Sequence, residues 1–113
     1  MSKNKDYLNI NTILDEEVEL EGQISFKTSL KIDGSFSGKI DAAEGLLIVG
    51  EKAKVKADLK TKTIIIAGHV TGNCEASEKL EMYDSAKLNG NIRTRKLKIA
   101  DGVLFEGACE MIK

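Results

Sequence analysis

Two short patterns of apolar and polar positions return along the whole chain. The first is apolar, any residue, Gly or Ala, any residue, apolar. Its copies are Leu20-Gly22-Ile24, Phe36-Gly38-Ile40, Val55-Ala57-Leu59, Val70-Gly72-Cys74, Leu88-Gly90-Ile92 and Phe105-Gly107-Cys109. The central positions lie 16, 19, 15, 18 and 17 residues apart, a period that predicts a solenoid. The second pattern, apolar-x-apolar, falls between the copies as Leu30-Ile32, Leu46-Ile48, Ile64-Ile66, Leu80-Met82 and Leu97-Ile99, and Ile13 and Leu14 form an incomplete copy upstream. Alternation at period two predicts short strands with one buried face and one wet face. Nothing between residues 18 and 109 reads as a helix.

Stacking the copies at about 4.8 Å per coil puts equivalent residues in columns. One column reads Leu20, Phe36, Val55, Val70, Leu88, Phe105, and the next reads Ile24, Ile40, Leu59, Cys74, Ile92, Cys109. The second pattern supplies a third column through Leu30, Leu46, Ile64, Leu80 and Leu97. A fourth runs through Ile32, Ile48, Ile66, Met82 and Ile99. Each column is apolar from end to end, and parallel strands would pair coil to coil. The expected fold is therefore an all-β solenoid, a β-helix of about six coils forming a rod on the order of 30 Å long.

The corners need residues that accept unusual backbone angles, and Asp33-Gly34, Ala67-Gly68, Asn89-Gly90 and Asp101-Gly102 can supply them. The central Gly of the first pattern also permits close backbone approach. Ala57 gives up the freedom at positive φ, so its coil is expected to bend differently. The irregular spacings of 19 and 15 fall on either side of it.

Composition narrows the picture. Aromatic residues make up 4% of the 113 residues, so the core must be aliphatic, and there is no Pro. Charged residues are 31% and cancel to a net charge of −1, which gives no overall pull towards nucleic acid or anionic lipid. No apolar run has the length of a membrane span and no signal peptide is evident, so the expected location is cytoplasmic.

Candidate chemistry is sparse. Cys74 and Cys109 fall in one column with Ile92 between them, about 9.6 Å apart at strand spacing. That is beyond disulfide reach, and both read as small buried hydrophobes. His69, the only histidine, should face solvent beside inward-facing Val70. A histidine general base on a similar rod occurs in hexapeptide-repeat acyltransferases, but the local hexad spacing breaks at 46–53 and 92–97. Lys52, Lys54, Lys56, Lys60 and Lys62 form one basic run, and Arg93, Arg95, Lys96 and Lys98 a second. A lysine-rich stripe could recruit polyanions or partner enzymes, while a solvated face that discourages sideways aggregation is the simpler reading. No aromatic is interleaved for base stacking, no carboxylates pair for acid/base work, and no Gly-rich loop cradles phosphate. Neither cofactor, metal nor nucleotide is expected.

The ends of the rod carry the functional expectation. A terminal coil exposes its backbone edge and the top of each apolar column. Two uncovered ends can stack on each other, and stacking that does not close makes a filament. Phe105 and Val103 at one end and Leu20, Val18 and Ile13 at the other are the expected polymerisation residues. The polar stretch of residues 1–11 is expected to be a flexible tail, with Tyr7, Leu8 and Ile10 as a weak candidate membrane contact.

The sequences Thr12-Ile13-Leu14, Leu20-Glu21-Gly22-Gln23-Ile24, Leu30-Lys31-Ile32-Asp33-Gly34, Ile66-Ala67-Gly68-His69-Val70-Thr71-Gly72-Asn73 and Phe105-Glu106-Gly107-Ala108-Cys109 resemble those of the bactofilins. The resemblance covers roughly residues 12–111, leaving 112–113 as a short end. It implies a right-handed parallel β-helix and a bacterial cytoskeletal protein, not an enzyme. It also implies non-polar filaments formed without nucleotide, and a role in cell shape near the inner membrane and peptidoglycan-remodelling enzymes.

Overall fold

The computed structural model describes residues 7–8, 12–14, 19–83 and 86–112, with side chains from residue 19 onward. Every regular element among them is a strand. In chain order these are β1 (Tyr7–Leu8), β2 (Thr12–Leu14), β3 (Glu19–Phe26), β4 (Ser29–Ile32), β5 (Ser35–Val49) and β6 (Lys54–Ile66). They continue as β7 (His69–Thr71), β8 (Cys74–Met82), β9 (Lys87–Asn89), β10 (Ile92–Ile99), β11 (Leu104–Glu106) and β12 (Cys109–Met111). All pairings are parallel and join one coil to the next. The chain is a parallel β-helix of about five turns, slightly fewer than the six the repeat suggested.

The register bears out the first two columns. Leu20, Phe36 and Val55 align, Val55 meets Val70, and the line continues through Leu88 to Phe105. Ile24, Ile40, Leu59, Cys74, Ile92 and Cys109 align in the same way. The third and fourth columns need a correction. Leu30 and Ile32 pair with Leu47 and Val49, not with Leu46 and Ile48. Leu47 and Val49 are fully buried, whereas Leu46 and Ile48 face outward and are half-buried. In the run Leu46-Leu47-Ile48-Val49 a period of two has two equal phases. The choice falls to the preceding bulge: between matched pairs, β5 spends residues 43–45 where β6 spends only Lys62. Gly45 makes that bulge possible, since a Cβ there would lie 2.6 Å from the Phe26 ring.

A further inward column was hidden by its chemistry. Ala42, Thr61, Ala76, Thr94 and Met111 align, and Thr61 and Thr94 are buried. Their hydroxyls donate to the carbonyl oxygens of Thr63 and Lys96 at 3.0 and 3.2 Å. Burial is therefore satisfied where the strand shifts register. Small residues line one corner. The N–H groups of His69, Lys87 and Leu104 donate to the carbonyls of Ala53, Gly68 and Ala86, one coil away, at 2.9–3.1 Å. Gly68 serves there by size, because a Cβ would sit 2.2 Å from the Gly50 carbonyl oxygen. Positive φ is found instead at the central glycines and at Gly102. The strand through Ala57 runs unbroken from Lys54 to Ile66 with Ala57 in register with Gly38. The uneven spacing arises in the 43–45 bulge and the 50–53 turn.

Candidate functional site at the rod ends

At the C-terminal end every inward column loses its cover at once. Met111 is 52% exposed and Ile99 46%, and Leu104, at an outward position, is 60% exposed. Val103, Phe105 and Leu97 are half-buried against the core, and Cys109 is exposed. One coil earlier the residues beneath them, Met82, Leu88, Ile92 and Thr94, are all 2% exposed or less. The inward columns are alike in chemistry in the two coils, and among the described residues no further coil lies over the last one. The backbone is open too. Strands β11 and β12 pair on one side only, with β9 and β10, and residues 96–99 of β10 pair only with β8. The expectation that Cys109 is buried is thus corrected: it belongs to an apolar column but is that column's last member.

The other end is arranged differently. Strand β2 pairs over Leu30–Ile32, and Leu30 and Ile32 are fully buried. Tyr7–Leu8 pairs with Ser25–Phe26, so two residues of the expected tail lie in register with β3. Leu20 is 39% exposed and Ile24 half-buried. Ile13 takes the register position over Lys31. Val18 and Ile10 lie outside the described residues.

Residues 12–110 match the family described as Bactofilin, polymer-forming cytoskeletal. This chain belongs to the bactofilin family. It is 38% identical over 101 residues to Bactofilin BacO of Myxococcus xanthus strain DK1622, covering 89% of this chain and 79% of that protein. It is 30% identical over 101 residues to Bactofilin BacP of the same strain, covering 89% of this chain and 42% of that protein. No solved structure matches it. The family is a structural, polymer-forming one, and self-association follows from membership.

The remaining candidate chemistry of this bactofilin is mostly dispersed by the fold. His69 is exposed, as expected, and stands between Lys54 and Lys87 in its outward column. Lys60 does not extend a basic stripe, because its neighbours up and down the rod are Asp41 and Glu75. The column continues through Arg93 and Glu110, so sign alternates at every coil. Arg93 and Glu110 approach to 3.9 Å, and Lys62 and Glu44 to 4.0 Å. Lys60, Lys62 and Arg93 are therefore matched by carboxylates across coils, whereas Lys54 and Lys87 flank His69 and Lys96 stands beside Lys79. Cys74 is buried, and burial, with a smaller effect from Asp58, pushes its thiol up to about 12. Among the described residues no cluster of His, Cys, Asp and Glu could hold a metal. Among the described residues no helix is long and apolar enough to cross a membrane.

Sequence reasoning named Phe105 and Val103 at this end but passed over Ile99, Leu104 and Met111. The last two sit at positions where earlier coils carry Lys87 and Thr94, so a pattern of inward apolar positions does not point to them. Reading the final coil for apolar residues at normally polar outward positions would have found Leu104.

Proposed function

We propose that this bactofilin is a cytoskeletal scaffold that assembles end to end into filaments without nucleotide, supporting cell shape or local wall remodelling. The observation that carries the reading is the change in exposure across one coil. Columns buried to 2% or less at Leu88, Met82 and Thr94 continue into half-buried Phe105 and into Ile99 and Met111, about half exposed. A second rod end placed on this face would restore the burial and the strand pairing each earlier coil already has. Apolar burial then drives association, and strand addition supplies direction. In this reading like ends meet, C-terminal on C-terminal and N-terminal on N-terminal, which makes the filament non-polar. Contacts with the inner membrane and with wall enzymes belong to the same reading as roles of the assembled polymer.

Phe105→Arg tests it. The substitution is expected to keep the β spectrum by circular dichroism and to abolish filaments in negative-stain electron microscopy. It also reads polarity. In a non-polar filament the N-terminal contact survives and the variant stops at a dimer by light scattering. In a polar filament every contact uses the C-terminal end and the variant is a monomer. Ordinary filaments from Phe105→Arg would overturn the end-contact assignment.

A further inference from the structure

One lateral face of the rod carries a feature that end-to-end assembly does not use. Strand β4, the ends of β5 and β6, and residues 79–82 and 96–99 form a parallel sheet with one face turned outward. Its two middle strands present Leu46, Ile48 and Gly50, then Thr63, Ile65 and Ala67, with no charge among them. Ile48 and Ile65 are directly paired, so large aliphatics lie side by side on a wet face. The strand on one side carries Lys31 and Asp33, paired at 3.8 Å. The strand on the other side carries Lys79 and Glu81, paired at 3.0 Å, with the Tyr83 hydroxyl donating to Glu81. Lys98 lies over the Tyr83 ring, 5.4 Å from its centre. The half-buried aliphatics thus form an uncharged band between two charged rows.

The band is complementary to itself. Consider a second copy turned by a half-rotation about an axis that runs along the strands, midway between Ile48 and Ile65. The rods are then antiparallel. Ile48 lies over Ile65 of the second copy, and Leu46 over its Thr63. Lys31 meets Glu81, and Asp33 meets the Tyr83 hydroxyl. The flanking rows each sum to zero charge, so no like-charge row is brought together.

We infer that this band is a lateral docking face for a second, antiparallel copy of this chain. Five strands at about 4.8 Å by roughly 15 Å of outward residues give a few hundred Å² per partner, which is weak for a single pair. Repetition along two filaments multiplies it, so its role is to pair filaments side by side. The face does not involve the rod ends, but its multiplication rests on the filament reading above.

The test has two arms. In electron micrographs of filaments, Ile48→Lys is expected to leave single filaments and remove side-by-side pairs. Lys31→Glu weakens pairing, and Lys31→Glu with Glu81→Lys restores it. In solution at high concentration, a short bismaleimide should join Lys31→Cys to Glu81→Cys in mixed Cys109→Ser proteins, and join neither variant efficiently to itself, because like positions there lie about 14 Å apart across the axis. This arm reads the face even if no filaments form. Unpaired wild-type filaments, pairs that survive Ile48→Lys, a charge swap that fails to restore them, or self-joining of Lys31→Cys as efficient as its joining to Glu81→Cys would each overturn the inference. So would a band protected from labelling by lipid vesicles or by another protein while copies stay apart.

Discussion

At the scale of single residues the glycines of the first pattern act through both angle and space. Gly90 has φ +151°, and a Cβ built on it would lie 1.9 Å from the Gly72 carbonyl oxygen. Gly22, at the start of the ladder, has φ +129° but nothing within 4 Å. Backbone strain of this kind costs about 1–3 kcal/mol by itself, so both Gly→Ala variants lose stability. Gly90→Ala should lose more, because the coil-to-coil contact must also open. Thermal melts followed by circular dichroism should rank Gly90→Ala below Gly22→Ala, and equal melting temperatures would show that angle alone matters. The sequence signalled these glycines by their period, but not which also needed space. The spacing between coils is a property of the stack.

Within the strands, phase is the quantity that decides. Leu46 and Leu47 are identical in chemistry and adjacent, yet Leu47 is fully buried and Leu46 faces outward. Leu47→Ala should cost about 2–5 kcal/mol, while Leu46→Ala should cost under about 1 kcal/mol. Urea unfolding of the two variants checks this, and a reversal would mean that β5 pairs one residue out of the register described. The first and second columns were readable because each apolar residue there is flanked by polar ones. The third and fourth were readable in four coils and misread in one, because an unbroken apolar run contains no phase information and the 43–45 bulge sets it. The Thr61 and Thr94 column escaped for a related reason. A hydroxyl that donates to a carbonyl two residues on can be buried at little cost, and a polar letter in the sequence does not show that bond.

The whole molecule turns a uniform repeat into a middle and two ends. Cys74 and Cys109 are the same residue type in the same column, two coils apart. Cys74 is buried with its thiol raised from 9.0 to about 12, and Cys109 is exposed. Below pH 9 the Cys74 thiol is protonated in both the folded and the unfolded chain and stability does not depend on it. Between pH 9 and about 12 the unfolded chain releases the proton first, so folding stability falls as pH rises. Thiol labelling near neutral pH should therefore count one reactive cysteine in dispersed protein and two after unfolding. On assembly Cys109 should become protected, since it stands on the end contact. Labelling of Cys109 that is equally fast in filaments would place the contact elsewhere. The candidate site was legible as an end because Phe105 closes its column near the end of the repeat. The alternating line of Asp41, Lys60, Glu75, Arg93 and Glu110 was not legible, because its members meet only across coils.

The sequence by itself determined the fold class, the period, two full columns and the family, because side-chain alternation and recurring small residues act over a few positions and leave their mark in the order of letters. The tertiary structure alone decided which of two adjacent leucines is buried, which lysines are neutralised, which cysteine is reachable and which lateral band is bare. Each of these depends on how the coils stack, and the register of that stack is set by bulges and turn lengths, neither of which is a property of any single repeat.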